Sequence, residues 1–588
     1  MRRQPKFRAA LSTMALALAT PLPLSAKAPA PAAQTATAYD LIVRGGSIYD
    51  GTGAAPVTAD IAVRGDRIVA IAPHLTGKAR RTIDAKGKAV APGFINMLAH
   101  PEESLFADGR ALSDLAQGVT LEVMGEDSMG PLTPDMARLL KARQGDVRFP
   151  VKWRTLGQYL DTLARRGIAP NVASFVGAGT VRTNLLGERD VQPDARQLAA
   201  MQALVQQAME EGAVGVTTAL MYAPNTYAKT PELVALAKVS ARCGGLFSAH
   251  IRNEGDQLLP AIDELIAVAK ASGGPGHIYH FKQSGSDNWG KLDEAIGRVQ
   301  AARASGLSIT ADMYPYTASA TGLDAGMPRW VQDGGLEQWI KRLKQPEIRT
   351  RVAAAMRDPH PGDWDNAYGQ AGADGTLLLA FKNPALKPLT GKTLAEVAKM
   401  RGKSPEETAM DLVVEDGSRV GVSYRSMSEA NVRREMTLPW MMFDSDEAAP
   451  APEGVFLLAN NHPRAYGSFA RVLGRYTREQ QALTLADAVR RLSGLPAATL
   501  SLKGRGVLKA GSFADIVVFD PATITDHATF EKPHQLATGV SEVVVNGRLA
   551  LDHGQPTGQP TGRVVRGRAW KGYGTGCRAS PADWNWPG

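Results

Sequence analysis

The chain places its reactive side chains at the ends of short apolar runs. His250 ends "GLFSAH", and His280 lies in "GHIYHF", two residues before Lys282. Glu126 and Asp127 follow "GVTLEVM", and Asp446 ends "LPWMMFDSD". His100 comes just after "GFINML", Tyr222 just after "GAVGVTTAL", and Asp312 and Tyr314 end "LSITADMY". Neutral imidazole and carboxylate together suit catalytic zinc, which takes three protein ligands and keeps one position open for water. A single histidine is more often a hydrogen-bonded structural residue. Two histidines on neighbouring runs, with acids ending others, point instead to a shared metal site.

These residues need a scaffold that brings run ends together. With "NVASFVG" the runs number eight. Between several of them stand segments such as "PELVALAKVSARC" and "DEAIGRVQAARAS", whose apolar residues recur at helical spacing. Alternating strands and helices imply a parallel sheet. Eight such units predict an α/β fold of the (β/α)8 TIM-barrel type, with functional groups at the C-terminal ends of the strands. A doubly wound open sheet would leave the polar residues at so many run ends unexplained. The barrel is expected over 91–503. A lid-like insertion is expected at about 325–438, between the seventh and eighth runs.

The two ends of the chain have a different texture. Residues 38–90, with "YDLIVRGGSIYDGTG" from Tyr39 onward, alternate apolar and polar residues between Gly and Asp turns. Similar alternation returns over 504–567, in "GSFADIVVFDP" and "VSEVVVNGRLALDHGQ". Neither end has strands enough for a stable sheet covered on two faces, so the two are expected to pair into one small β-sandwich. Residues 568–588 read as a flexible tail that includes Trp584 and Trp586.

Hydrophobic content of 44% and charged content of 21% suit a globular chain. Residues 1–28 have a basic start, an apolar run and small residues, the layout of a secretory signal peptide, followed by a Pro/Ala linker over 29–37. A periplasmic or secreted location is the expectation. Five of the nine net positive charges sit in that leader (Arg2, Arg3, Lys6, Arg8 and Lys27), so the remainder carries about +4. That charge is no nucleic-acid footprint, and no stretch is long and apolar enough to span a membrane. Cys243 and Cys577 are the only cysteines. Their separation leaves a disulfide unsupported, and Cys243, just before a run, is expected to be a buried thiol. The oligomeric state stays open.

The chain resembles the amidohydrolase superfamily and, within it, the N-acyl-D-amino-acid deacylases (D-aminoacylases). The resemblance covers nearly all of 38–567. It rests on "APGFIN", "QGVTLEVMGE", "SAHIRNEGD", "DMYPYTASATGL", "MSEANVRREM" and "NHPRAYGSFARVLGRY", with the end motifs quoted above. It implies that His250 and His280 bind zinc and that Glu126 is the acidic third ligand, with Asp127 as its rival. It implies that Asp446 is the general base and acid acting on a metal-activated water. Tyr222, Lys282 and Arg464 would polarise the scissile carbonyl or hold the substrate carboxylate. The substrate would be a small N-acylated D-amino acid.

One departure bears on the metal count. Many superfamily members read Asp-x-His-x-His after the first strand, whereas Asn96 and Leu98 stand where the Asp and first His would be. Leucine cannot bind zinc. In the D-aminoacylase type that pair serves a secondary metal position, so one Zn2+ per chain is expected. His100 is left as an auxiliary ligand, a substrate contact or a loop histidine bonded to Glu102 or Glu103. Two alternatives keep the fold: hydrolysis of another amide, such as a dipeptide or cyclic amide, and an inactive binding homologue. Leu98 argues against the two-metal cyclic-amide type, and the retained Glu126, His250, His280 and Asp446 argue against an inactive one.

Overall fold

A computed structural model describes residues 39–574 and 576–578. The leader, the linker, Trp584 and Trp586 lie outside the described residues. Eight parallel barrel strands follow the chain in order. The first three are Phe94–Asn96, Val119–Met124 and an interrupted third strand, Asn171–Ser174 with Val176–Gly177. The other five are Gly215–Ala219, Leu246–His250, Gly276–Ile278, Ile309–Met313 and Met441–Phe443. The interruption falls at Phe175, whose N–H still donates to Met124 O at 2.8 Å. The ring closes between its first and last strands. Asp446 N–H donates to Leu98 O at 2.9 Å, His100 N–H to Glu447 O at 2.8 Å, and Ser445 N–H to Asn96 Oδ1 at 2.9 Å.

Strands covered on both faces read as near-continuous apolar sequence, and Val119–Met124 is buried at every position, Glu122 included. The helices outside the ring carry sequence-readable ends. Ala195–Glu210 starts at Asp194, whose carboxylate accepts from Gln197 N–H at 2.7 Å while Gln197 reaches back to Asp194 N–H, a reciprocal cap.

The chain ends meet in one nine-stranded sheet. Tyr39–Ile48, Val57–Arg64, Arg67–Ala72, Ala79–Asp84 and Ala89–Pro92 come from the N-terminal side, and Ile516–Phe519, Val540–Val545, Arg548–Asp552 and Gln555–Pro556 from the C-terminal side. The seam pairs Ala89–Pro92 antiparallel with Ile516–Phe519. Ile61, Val63, Ile516 and Val544 fill its core. Asn546 ties the sheet to the barrel by donating to Asn171 Oδ1 at 2.8 Å.

Between the seventh and eighth barrel strands, Ser319–Gly322, Gly421–Tyr424 and Thr376–Ala380 form an antiparallel sheet in that spatial order. Helices cover it around a separate core that includes Trp339, Leu378, Met410 and Val422. The insertion starts a few residues before 325, because its first strand is an edge strand too short to stand out from the "YTASATGL" loop. No helix among the described residues is long and apolar enough to cross a membrane.

Two expectations for the C-terminal region are corrected. Cys243 is not a free thiol: it forms a disulfide with Cys577. Sequence separation hid the pair, since Cys243 ends the helix Thr230–Arg242 and the turn Gly576–Arg578 lies beside that helix's neighbour. The stretch 568–578, as far as it is described, is accordingly docked. Ala569 is buried, Lys571 Nζ pairs with Glu210 at 2.6 Å, and the Trp570 and Tyr573 rings lie 4.8 Å apart.

Candidate active site

The C-terminal ends of the strands converge on a cavity of about 400 Å³ lined by His100, Glu126, Tyr222, His250, His280 and Asp446, among others. Glu126, His250 and His280 are buried, and each brings one potential ligand atom to within 4.8 Å of the others. The two imidazole rings stand edge to face, 4.4 Å apart. Asp127 falls outside this trio and is exposed, with Arg419 as a charged neighbour.

The trio fits a metal ion by its unmet valences. Glu126 Oε1 and His250 Nε2 are buried and have no hydrogen-bond partner, an arrangement that costs free energy unless something fills it. Burial holds His250 neutral, its pKa lowered to about 3, which is the form that ligates metal. Burial also pushes Glu126 up to about 8, against the pull of nearby His100 and Lys282. Lys282 Nζ and Glu254 Oε1 reach His280 Nδ1 at 2.7 and 3.0 Å, leaving Nε2 as the ring nitrogen for a metal.

Two of these residues sit on strained backbone. His280 has φ 36° and Asp446 φ 47°, a region that side chains with a Cβ rarely adopt. Neighbours hold both: His280 N–H donates to Asp312 Oδ1 at 2.5 Å, and Asp446 N–H to Leu98 O. Such strain clusters at functional sites.

Asp446 forms an ion pair with Arg464 Nη1 at 2.7 Å and meets His100 Nε2 at 3.1 Å. Burial alone would raise its pKa, but Arg464, His100 and His280 hold it well below the usual carboxylate range. Burial likewise opposes charge on His100, yet Asp446, Glu102 and Glu126 lift it to about 10. His100 is thus bonded to Asp446, with Glu126 Oε2 at 3.8 Å, and not to Glu102 or Glu103 as a loop histidine would be. Lys282 faces Glu254 at 2.7 Å. Each cation assigned to the substrate therefore already faces a carboxylate of the protein, although Arg464 Nε has no partner. Tyr222 lies between the His250 ring, 5.2 Å away, and the Arg419 guanidinium, 5.0 Å from its own ring centre. Burial raises its pKa well above the usual value, so its hydroxyl stays a donor.

The altered first strand has a structural role. Asn96 Nδ2 donates to Asp114 Oδ2 at 2.9 Å and to Ser445 Oγ at 2.7 Å. Leu98 packs with Phe175, Tyr279 and Met442. Three lining residues carried no role in the sequence reading: Glu254, Tyr314 and Arg419. Glu254 lies four residues after His250 inside "SAHIRNEGD", so its signal was present. Tyr314 ends the seventh run; its buried hydroxyl has no partner, and the Arg464 guanidinium lies 4.4 Å from its ring centre. Arg419 comes from the insertion, where strand-end reasoning does not reach.

An eight-stranded barrel with His, His and carboxylate at its mouth defines a hydrolase class, and residues 81–550 match the amidohydrolase family. The chain belongs to that family. It is 33% identical over 532 residues to N-acyl-D-glutamate deacylase of Alcaligenes xylosoxydans xylosoxydans, covering 90% of this chain and 96% of the relative. A D-aminoacylase structure bearing on its binuclear metal center, with one-metal activation and second-metal attenuation, aligns with a TM-score of 0.74 at 31% identity, covering 90% and 100%. N-acyl-D-glutamate deacylase from Bordetella bronchiseptica, complexed with zinc and a phosphonate mimic of the tetrahedral intermediate, aligns with a TM-score of 0.74 at 30% identity, covering 90% and 99%.

Proposed function

We propose that the protein hydrolyses the amide bond of N-acyl-D-amino acids, giving a carboxylate and a free D-amino acid. One zinc ion per chain would be held by Glu126, His250 and His280. The observation that carries this reading is the pair of buried, partnerless ligand atoms on Glu126 and His250 in the cavity that also holds Asp446. The substrate class is taken from the relatives named above, two deacylases of N-acyl-D-glutamate and a D-aminoacylase. A single ion is favoured because Leu98 offers no donor where a second site would need one.

A zinc ion held there would supply Lewis-acid polarisation of the amide carbonyl and of water. Asp446 accepts the proton of the attacking water and returns it to the leaving nitrogen. Arg464 and His100 keep it ionised until then. The Tyr222 hydroxyl donates to the oxyanion as the carbonyl becomes tetrahedral. Lys282 and Arg464, the latter through its free Nε, draw the substrate carboxylate to their side of the cavity. The leader pattern and the disulfide both support a periplasmic or secreted location. Finding the intact Met1 N-terminus on cytoplasmic protein would reject that location.

The test is metal content per chain together with rates on paired N-acetyl D- and L-amino acids, with and without chelator. Loss of activity on chelation and preference for D-forms are expected. Activity on L-forms alone rejects the assignment.

A further inference from the structure

A second cavity, of about 690 Å³, lies beside the first. Both are lined by His100, Asp127, Tyr222 and Arg419, so they meet at the metal trio's edge. Their other walls differ. Lys282 and Arg464 line only the smaller cavity, together with Ser319, Thr321 and Asn460. The larger has a broad apolar wall of Met129, Leu132, Leu140, Leu336, Trp339 and Phe456, and is also lined by Glu103, Arg143 and Glu188. Four separate segments supply this apolar surface: the loop after the second barrel strand, the helix Pro134–Arg143, the insertion helix Leu336–Leu343 and the turn Gly454–Leu458. Next in the chain after Phe456, Leu457 and Leu458 are 52% and 48% exposed.

We infer that the acyl half of the substrate is a medium- or long-chain aliphatic group seated in this larger cavity. The inference rests on the deacylase reading and deepens it. The cations draw the carboxylate end into the smaller cavity, which leaves the acyl group to extend past Tyr222 into the apolar one. A cavity in the range that encloses a whole drug-sized ligand far exceeds the need of an acetyl methyl. The reaction is a balanced hydrolysis. The amide C–N bond breaks, the water oxygen bonds the acyl carbon, and the proton goes to the leaving amine, releasing a fatty carboxylate.

Two measurements on the full chain test this. The first is calorimetric binding of dodecanoate and of acetate, below micellar concentration. The second is kcat/KM for N-acetyl-, N-octanoyl- and N-dodecanoyl-D-amino acids with zinc bound. Burial of one methylene is worth about fourfold, so with partial burial dodecanoate should bind at least about 100-fold tighter than acetate. Leu140→Glu, or Leu336→Gln should the first fail to fold, should cut that ratio at least about tenfold, and the dodecanoyl-to-acetyl kcat/KM ratio with it. Equal binding of the two carboxylates overturns the inference even if N-acetyl substrates turn over, and the deacylase reading then stands alone. Tight dodecanoate binding without turnover of any N-acyl amino acid strikes the deacylase reading, and the substrate assignment with it, by a different readout.

Discussion

Asp446 is charged because of its company. Burial in the cavity disfavours the carboxylate, and Arg464 at 2.7 Å with His100 at 3.1 Å reverses that preference. Asp446→Asn keeps the shape and removes the proton acceptor. It should lower kcat by about 10²–10⁴-fold while metal per chain, read by atomic absorption, stays at the wild-type level; unchanged turnover would remove Asp446 from the chemistry. The trio and His100 should separate in the same assay. His250→Ala should abolish metal binding, because it deletes one of three ligands, whereas His100→Ala should leave most of the metal in place. Equal loss in both variants rejects a single site built on Glu126, His250 and His280. At this scale, strand-end placement made the histidines and Asp446 legible in the sequence. The partners of Arg464 and Lys282 were not: Arg464 reaches back along the long connection after the eighth strand to Asp446, Lys282 reaches across to Glu254 after the neighbouring fifth strand, and irregular loop contacts of this kind leave no periodic trace.

The second barrel strand carries a cost in its middle. Glu122 is fully buried, both its oxygens lack hydrogen-bond partners, and burial with Asp114 and Glu102 nearby raises its pKa well above the ordinary value. Burial lifts Asp114 to about 7, against the hydrogen bond from Asn96. The folded chain thus binds these protons more tightly than the unfolded chain, where such groups titrate near pH 4. The stability they contribute is complete below about pH 4 and drains as pH rises through the raised folded values. Glu122→Gln, neutral at every pH, should leave Tm near wild type at pH 5 and raise it at pH 8. A Tm lowered at pH 8 would mean that the charged carboxylate is stabilising there. The eight runs were legible because buried parallel strands are short, apolar and flanked by Gly and turn residues. The break at Phe175 and the first insertion strand, Ser319–Gly322, were not, since a single-residue interruption and a four-residue edge strand leave no periodic trace.

At the scale of the molecule, two devices close the chain on itself. One is the Cys243–Cys577 disulfide, which pins the docked C-terminal stretch near the helix Thr230–Arg242. It spans 334 residues, and loop-closure entropy over so long a span gives a stabilisation of roughly 2–5 kcal/mol. Reduction of the folded protein should therefore lower Tm by several degrees without changing metal content, and an unchanged Tm would show that packing around Trp570 holds the segment unaided. The other device is the shared sheet, whose first five strands come from the beginning of the chain and whose last four come from its end. On the ribosome, Ala89–Pro92 emerges early yet must stay unzipped until Ile516–Phe519 is made near the close of translation. The nascent chain thus carries a lasting open edge that a chaperone or a translocation channel can hold, and the enzyme matures only after its last strands are released.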